Sequence, residues 1–211
     1  MPQASTVPTN DPVTAPPRDA SINVCVAGHY TLTKRYDSRG KPRKFSCRIM
    51  TISPYEMSLA VPVSGFKGER VIFNCEEFGI LEGNIERVTV GGFILKLVMN
   101  DKERAKFAAK LEWFNQVQNN VASDGREHKR IVPKNPHSTL LLADGSSVRC
   151  FVVDYSVSGA AVSAEIEPKV GTPLAVGKVV GRVVRNLSAG FAVKFIEPQE
   201  PGHLERLIIQ A

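Results

Sequence analysis

Several common patterns are missing from this chain of 211 residues. No two of its four cysteines (Cys25, Cys47, Cys75, Cys150) form a Cys-x-x-Cys pair, and its four histidines (His29, His128, His137, His203) are scattered. That removes the spacing used by structural zinc sites and dithiol redox centres, so neither a metal nor a cofactor is expected. There is no strand-turn-helix nucleophile elbow and no Walker loop, which leaves no catalytic residue to name and argues against an enzyme. No apolar run approaches the ~20 residues needed to cross a bilayer as a helix. The N-terminus lacks a basic stretch followed by an apolar core. The expectation is a soluble, cytoplasmic protein with reduced, partly buried thiols and no membrane insertion.

What is present points to β structure. An apolar content of 43% supports a real core, and a net charge of +6 with a pI near 9.2 favours anionic partners. Residues 1–20 carry Pro2, Pro8, Pro12, Pro16 and Pro17 among small polar residues and read as a disordered tail. From about residue 28 the pattern predicts strands at Tyr30–Tyr36, Phe45–Ile52, Ser58–Val63, Arg70–Cys75, Gly79–Val88 and Phe93–Met99, separated by short turns as in a small antiparallel barrel. A helix follows. Asn100 and Asp101 offer caps, and Phe107, Ala108, Leu111, Phe114 and Val117 recur at helical spacing, a packing face with Trp113 beside it. Residues 118–130 are polar and read as a linker. Strands resume at Ser138–Leu142, Val148–Val153, Gly159–Ser163, Pro173–Val176, Lys178–Asn186 and Gly190–Phe195, and Leu204, Leu207 and Ile208 suggest a short C-terminal helix.

The two halves align on each other. Cys47–Ser53 lies over Cys150–Ser156 at a constant offset of 103, and Gly83, Arg87, Gly92, Phe93 and Lys96 lie over Gly181, Arg185, Gly190, Phe191 and Lys194 at an offset of 98. The five-residue difference predicts a longer hairpin near Asn74–Gly79 in the first copy. The reading is mainly β: two tandem six-stranded antiparallel barrels, each followed by a C-terminal helix. Its parts are a tail (1–20), a first barrel plus helix (21–118), a linker (119–130) and a second barrel domain (131–211).

The chemistry concentrates in the second copy. Arg126 and Arg130 are planar forks, able to pair bidentately with a guanine edge or with phosphate oxygens. Asp154 can accept guanine N–H donors, Ser156 offers a hydroxyl, and Gly159 removes a side chain where a ligand must approach the backbone. Taken singly, the arginines are ordinary solvated charges and Asp-x-Ser-x-x-Gly is an ordinary turn. Their order and separation on a barrel pattern make them a candidate site.

In these residues the chain resembles the PilZ domain, a bacterial receptor module for cyclic di-GMP. The family's Arg-x-x-x-Arg and Asp/Asn-x-Ser-x-x-Gly motifs stand here as Arg126, Arg130, Asp154, Ser156 and Gly159, and Ala160-Ala161-Val162 and Gly190–Phe195 continue the likeness over residues 126–196. The resemblance implies a six-stranded barrel. It also implies an N-terminal arginine segment that folds over cyclic di-GMP, with Asp154, Ser156 and Gly159 forming the barrel half of the site. Arg185 stands where some members place a further contact. Gly125, in place of a third arginine, leans toward one ligand per site.

The first copy has Thr51, Ser53 and Glu56 at the aligned positions and no arginine pair before its first strand, so it is expected to keep the fold without the site. Its first hairpin crowds Lys34, Arg35, Arg39, Lys41, Arg43, Lys44 and Arg48 together, either as a solvated edge or as a docking surface for an acidic partner or nucleic acid. The main expectation is a receptor in which ligand orders the linker and reorients the barrels. It would act on motility or exopolysaccharide output through a protein partner, with a homodimer left open. The alternatives are a ligand-independent interaction module and a nucleic-acid-binding barrel using residues 34–48. Against nucleic acid, no row of stacking aromatics is evident.

Overall fold

Inward–outward alternation, interrupted at a few bulges, builds the first barrel. In the computed structural model, which describes residues 21–117 and 130–209, six strands follow one another: β1 (Ile22–Tyr36), β2 (Pro42–Ile52), β3 (Glu56–Ala60), β4 (Arg70–Cys75), β5 (Gly79–Thr89) and β6 (Gly92–Leu97). They close antiparallel in the order β1-β2-β3-β6-β5-β4, with β4 returning to β1. Closure satisfies the edge groups that an open sheet would expose. Tyr30, Phe45, Phe73 and Phe93 are wholly buried, and the Tyr30 ring meets those of Phe45 and Phe93 with centroids 5.6 Å apart. The Tyr30 hydroxyl donates to the Val63 carbonyl, which gives this buried phenol a partner.

β1 starts at Ile22, earlier than the expected Tyr30. Val24 and Val26 already point into the core, but the small residues Cys25, Ala27 and Gly28 between and after them weaken the sequence signal. The helix α1 (Asp101–Val117) starts at a reciprocal cap. The Asn100 side chain accepts from the Glu103 amide at 2.9 Å, and the Glu103 carboxylate accepts from the Asn100 amide at 3.0 Å. Phe107 and Leu111 are buried and Phe114 packs against the same core, whereas Trp113 is 60% exposed and stands outside it.

The second barrel repeats the first. Its strands are β7 (His137–Leu142), β8 (Ser147–Ser156), β9 (Gly159–Ala164), β10 (Pro173–Val176), β11 (Val179–Leu187) and β12 (Gly190–Phe195), again antiparallel and closed, with α2 (Pro201–Ile208) after them. Leu204 and Ile208 of α2 are buried against its core. The expected difference in hairpin length is visible in the register. Val71 pairs with Gly83 in the first barrel and Leu174 with Gly181 in the second, so the intervening hairpin is five residues longer in the first copy. The extra length carries Phe78, whose ring meets Phe107 and Phe114 edge-on at 5.8 and 4.9 Å. The insertion is therefore where the first barrel receives its longer helix.

Cys47 and Cys150, at equivalent positions, are buried inside their barrels. Burial raises the Cys47 thiol well above its ordinary range and the Cys150 thiol to about 12, so both stay protonated. No helix among the described residues is long and apolar enough to cross a membrane. The tail 1–20 and all of the linker except Arg130 lie outside the described residues.

Part of the basic hairpin faces the second barrel. Three of its cations are directed at the second barrel rather than outward. Arg43 donates to the carbonyls of Ala164 (3.0 Å), Glu165 and Ile166 (2.6 Å), and its Nε lies 3.4 Å from Glu167. Arg35 pairs with Glu165 at 3.2 Å, and Arg48, only 3% exposed, donates to the Pro133 carbonyl at 2.7 Å. Ser46 adds contacts to Ser163 and Ala189, each at 3.1 Å. For these residues the acidic, acceptor-rich partner is the chain's own second half.

Candidate functional site

One irregularity in β8 brings the candidate residues to the outer face. Cys150 and Val152 point into the core, and plain alternation would send Asp154 and Ser156 inward after them. The register between β8 and β9 slips between Val152 and Asp154, leaving Val153 as an extra residue, a β-bulge. The phase is thereby reversed: Tyr155 becomes the buried residue, and Asp154 and Ser156 are only partly buried on the outer face. The first barrel has the same slip between Ile49 and Thr51, which buries Ile52 and bulges Met50 at the position equivalent to Val153.

Arg130 is brought to this face by a short β-bridge. The Ile131 amide donates to the Tyr155 carbonyl at 2.8 Å, and the Tyr155 amide donates back at 2.9 Å. One residue earlier, Nη1 of Arg130 lies 3.1 Å from both carboxylate oxygens of Asp154. The Ser156 hydroxyl is 3.3 Å from that of Ser158 and 3.5 Å from the Gly159 carbonyl, both long contacts that leave it largely uncommitted. Its counterpart Ser53 is spent on its turn. That residue is buried, accepts from the amides of Tyr55 (3.2 Å) and Glu56 (3.1 Å), and donates to the Glu56 carbonyl at 3.2 Å.

Arg130, Asp154, Ser156 and Gly159 line one shallow cavity of about 350 Å³. The residues expected at the site are thus brought together, apart from Arg126, which lies outside the described residues. Arg185 lines the cavity too, joined by Ser158 and Lys194. Sequence reasoning did not place Lys194 at this cavity. Its signal was there in the register, since Gly159 pairs directly with Lys194 across β9 and β12, but register is not readable from motif spacing. Gly159 also has a packing reason: a Cβ there would lie 2.4 Å from the Val193 carbonyl oxygen of β12.

In the first barrel the matching turn is occupied otherwise. Arg104 of α1 donates to the Pro54 carbonyl at 2.6 Å and lies over the Tyr55 ring at 4.5 Å, and Glu56 is exposed at the position of Gly159. No group of three or more metal-ligating side chains occurs among the described residues.

Comparison with known proteins agrees with this geometry. Residues 124–210 match the family model of the PilZ domain. No curated protein matches the chain. Similar solved structures include the PlzA protein of Borreliella burgdorferi in complex with c-di-GMP, at 14% identity over 89% of this chain and 91% of that one, with a TM-score of 0.31. The Bacillus subtilis inhibitor of motility MotI (DgrA) shares 14% identity over 89% and 94%, with a TM-score of 0.28. YcgR of Escherichia coli in complex with c-di-GMP shares 13% identity over 87% and 80%, with a TM-score of 0.26. At these levels of likeness only the family match bears on identity: residues 124–210 match the PilZ domain, and the first barrel repeats the strand order of the second.

Proposed function

We propose that this chain is a cyclic di-GMP receptor, a binding effector rather than an enzyme, with its single site on the second barrel. The observation that carries the reading is the composition of the cavity beside Gly159. Arg130, Arg185 and Lys194 surround one carboxylate, Asp154, with the hydroxyls of Ser156 and Ser158 between them. A net positive, hydroxyl-bearing rim suits a diphosphate ligand, and a planar guanidinium fits either phosphate or the guanine O6/N7 edge. Asp154 supplies the acceptor for guanine N–H groups. Arg126, four residues before Arg130, adds a second fork.

In this reading Arg130 is held on Asp154 until ligand arrives and exchanges that partner for phosphate and base. The Arg126–Arg130 segment joins the two barrels, so drawing it onto the ligand changes how they are held together. The altered surface is then read by a protein partner controlling motility or exopolysaccharide output, with a homodimer as a further form.

Titration calorimetry of the full chain with cyclic di-GMP, with GTP as control, tests the reading. Micromolar or tighter binding, about −8 kcal/mol or better, is expected, with about one site per chain and no response to GTP. A flat titration would overturn it.

A further inference from the structure

Arg48 stands where its counterpart in the second barrel is Phe151. It points away from the core of its own barrel and is still buried, because the second barrel covers it. Its guanidinium lies over the Phe151 ring at 5.6 Å and donates to the Pro133 carbonyl at 2.7 Å. Burial lowers the Arg48 pKa from its ordinary value, so this position carries a desolvation cost that an apolar residue would avoid.

The acceptor indicates what that cost secures. Pro133 lies three residues beyond Arg130, on the strap (residues 130–136) that leads from the arginine motif into β7. The strap is tied to its own barrel by the Ile131–Tyr155 bridge and by the Val152 amide donating to the Pro136 carbonyl at 2.7 Å. Between those ties Pro133 is buried, and proline has no N–H, so its carbonyl is the one backbone polar group it must satisfy. The donor that satisfies it comes from the other barrel.

Resting on the receptor reading above, we infer that Arg48 is a positioning residue for the ligand site. By fixing Pro133 it holds the strap so that Arg130 stays on the rim of the cavity, within reach of a ligand there, and a barrel with no site of its own thereby sets the affinity of its neighbour. The coupling is reciprocal, because a ligand that engages Arg130 also acts on the Arg48–Pro133 contact.

The test uses the full chain with Arg48→Met, which keeps an apolar stem against Phe151 and removes the donor. Arg70→Met is the control, since it removes a cation of the first barrel whose partner, Glu82, lies on the same barrel and away from the junction. Arg48→Met is expected to weaken cyclic di-GMP binding about tenfold or more and to speed amide exchange at Ile131 and Tyr155. Arg70→Met should leave affinity within about threefold of wild type. Unchanged affinity and unchanged exchange in Arg48→Met would overturn the inference. If that variant does not fold, the wild-type chain still decides: the Arg48 Nε–H resonance should shift on adding cyclic di-GMP, and an unmoved resonance would refute the coupling. If the wild-type chain itself binds no cyclic di-GMP, the receptor reading fails. The exchange rates at Ile131 and Tyr155 in Arg48→Met then settle the positioning role alone.

Discussion

A single guanidinium nitrogen of Arg130 rests 3.1 Å from each carboxylate oxygen of Asp154, and the two side chains remain 37% and 23% exposed. A pair so open to solvent contributes no more than about 1 kcal/mol to stability. Arg130→Ala and Asp154→Ala should therefore melt near wild type while losing tenfold or more in cyclic di-GMP affinity by calorimetry. Large destabilisation with normal affinity would assign the pair a structural role instead.

The two aligned serines should behave oppositely. Ser53→Ala removes the hydroxyl of a buried residue that makes three hydrogen bonds of 3.1–3.2 Å to Tyr55 and Glu56, and should cost about 1–3 kcal/mol in urea denaturation. Ser156→Ala removes only long contacts, so its stability should change by less than about 0.5 kcal/mol. Its loss should appear in ligand affinity.

Gly159→Ala should damage the fold as well as binding. The added Cβ meets the Val193 carbonyl at 2.4 Å, and backbone of β12 cannot move aside as a flexible side chain would. A cost of about 1–3 kcal/mol in denaturation is expected, typical of overpacking. A variant of wild-type stability would show that β9 and β12 separate more readily here than their pairing implies.

Arg43→Met should loosen the barrels from each other while leaving each folded. It strips the donor from three consecutive carbonyls, Ala164 to Ile166, at the junction. Calorimetric unfolding should broaden or split into two transitions, since each barrel keeps its own core. One sharp transition at the wild-type temperature would mean the junction does not depend on this clamp.

His137 should make the junction sensitive to acid. Its imidazole lies against Gly91 of the first barrel and edge-on to Phe151, and burial, then Arg149, then Arg48 lower its pKa below 6.5. The unfolded chain then binds the proton more readily than the native one, so this group's stabilisation is complete above pH 6.5. It is lost as pH falls from there through the native value. His29, lowered by burial and then Lys44, has the same sign. Denaturation midpoints followed from about pH 8 to pH 5 should fall less steeply in His137→Gln than in wild type.

Much of this architecture was legible in the sequence because it is written twice. The offset of 103 across Cys47–Ser53 and Cys150–Ser156 corresponds to strands with the same partner register and the same bulge, and the change to 98 falls within the hairpin that differs in length. The cluster of Arg130, Asp154, Ser156 and Gly159 was legible from motif order. Two things were not. Lys194 reaches the cavity through cross-strand pairing with Gly159, which no local pattern encodes. The inward turn of Arg35, Arg43 and Arg48 depends on where the second barrel sits, and a run of basic residues looks the same whether its partner is water or another part of the chain.

The Arg48–Phe151 contact joins equivalent positions of two similar barrels through unlike side chains. Two first barrels meeting by this face would oppose guanidinium to guanidinium, and two second barrels would offer Pro133 no donor. The face therefore accepts only the unlike mate, which every chain already carries at tethered, high local concentration. An unlike pairing of this kind is heterologous and could by itself link one molecule to the next, so it is the tether, through the high local concentration of the chain's own second barrel, that closes the junction within one molecule.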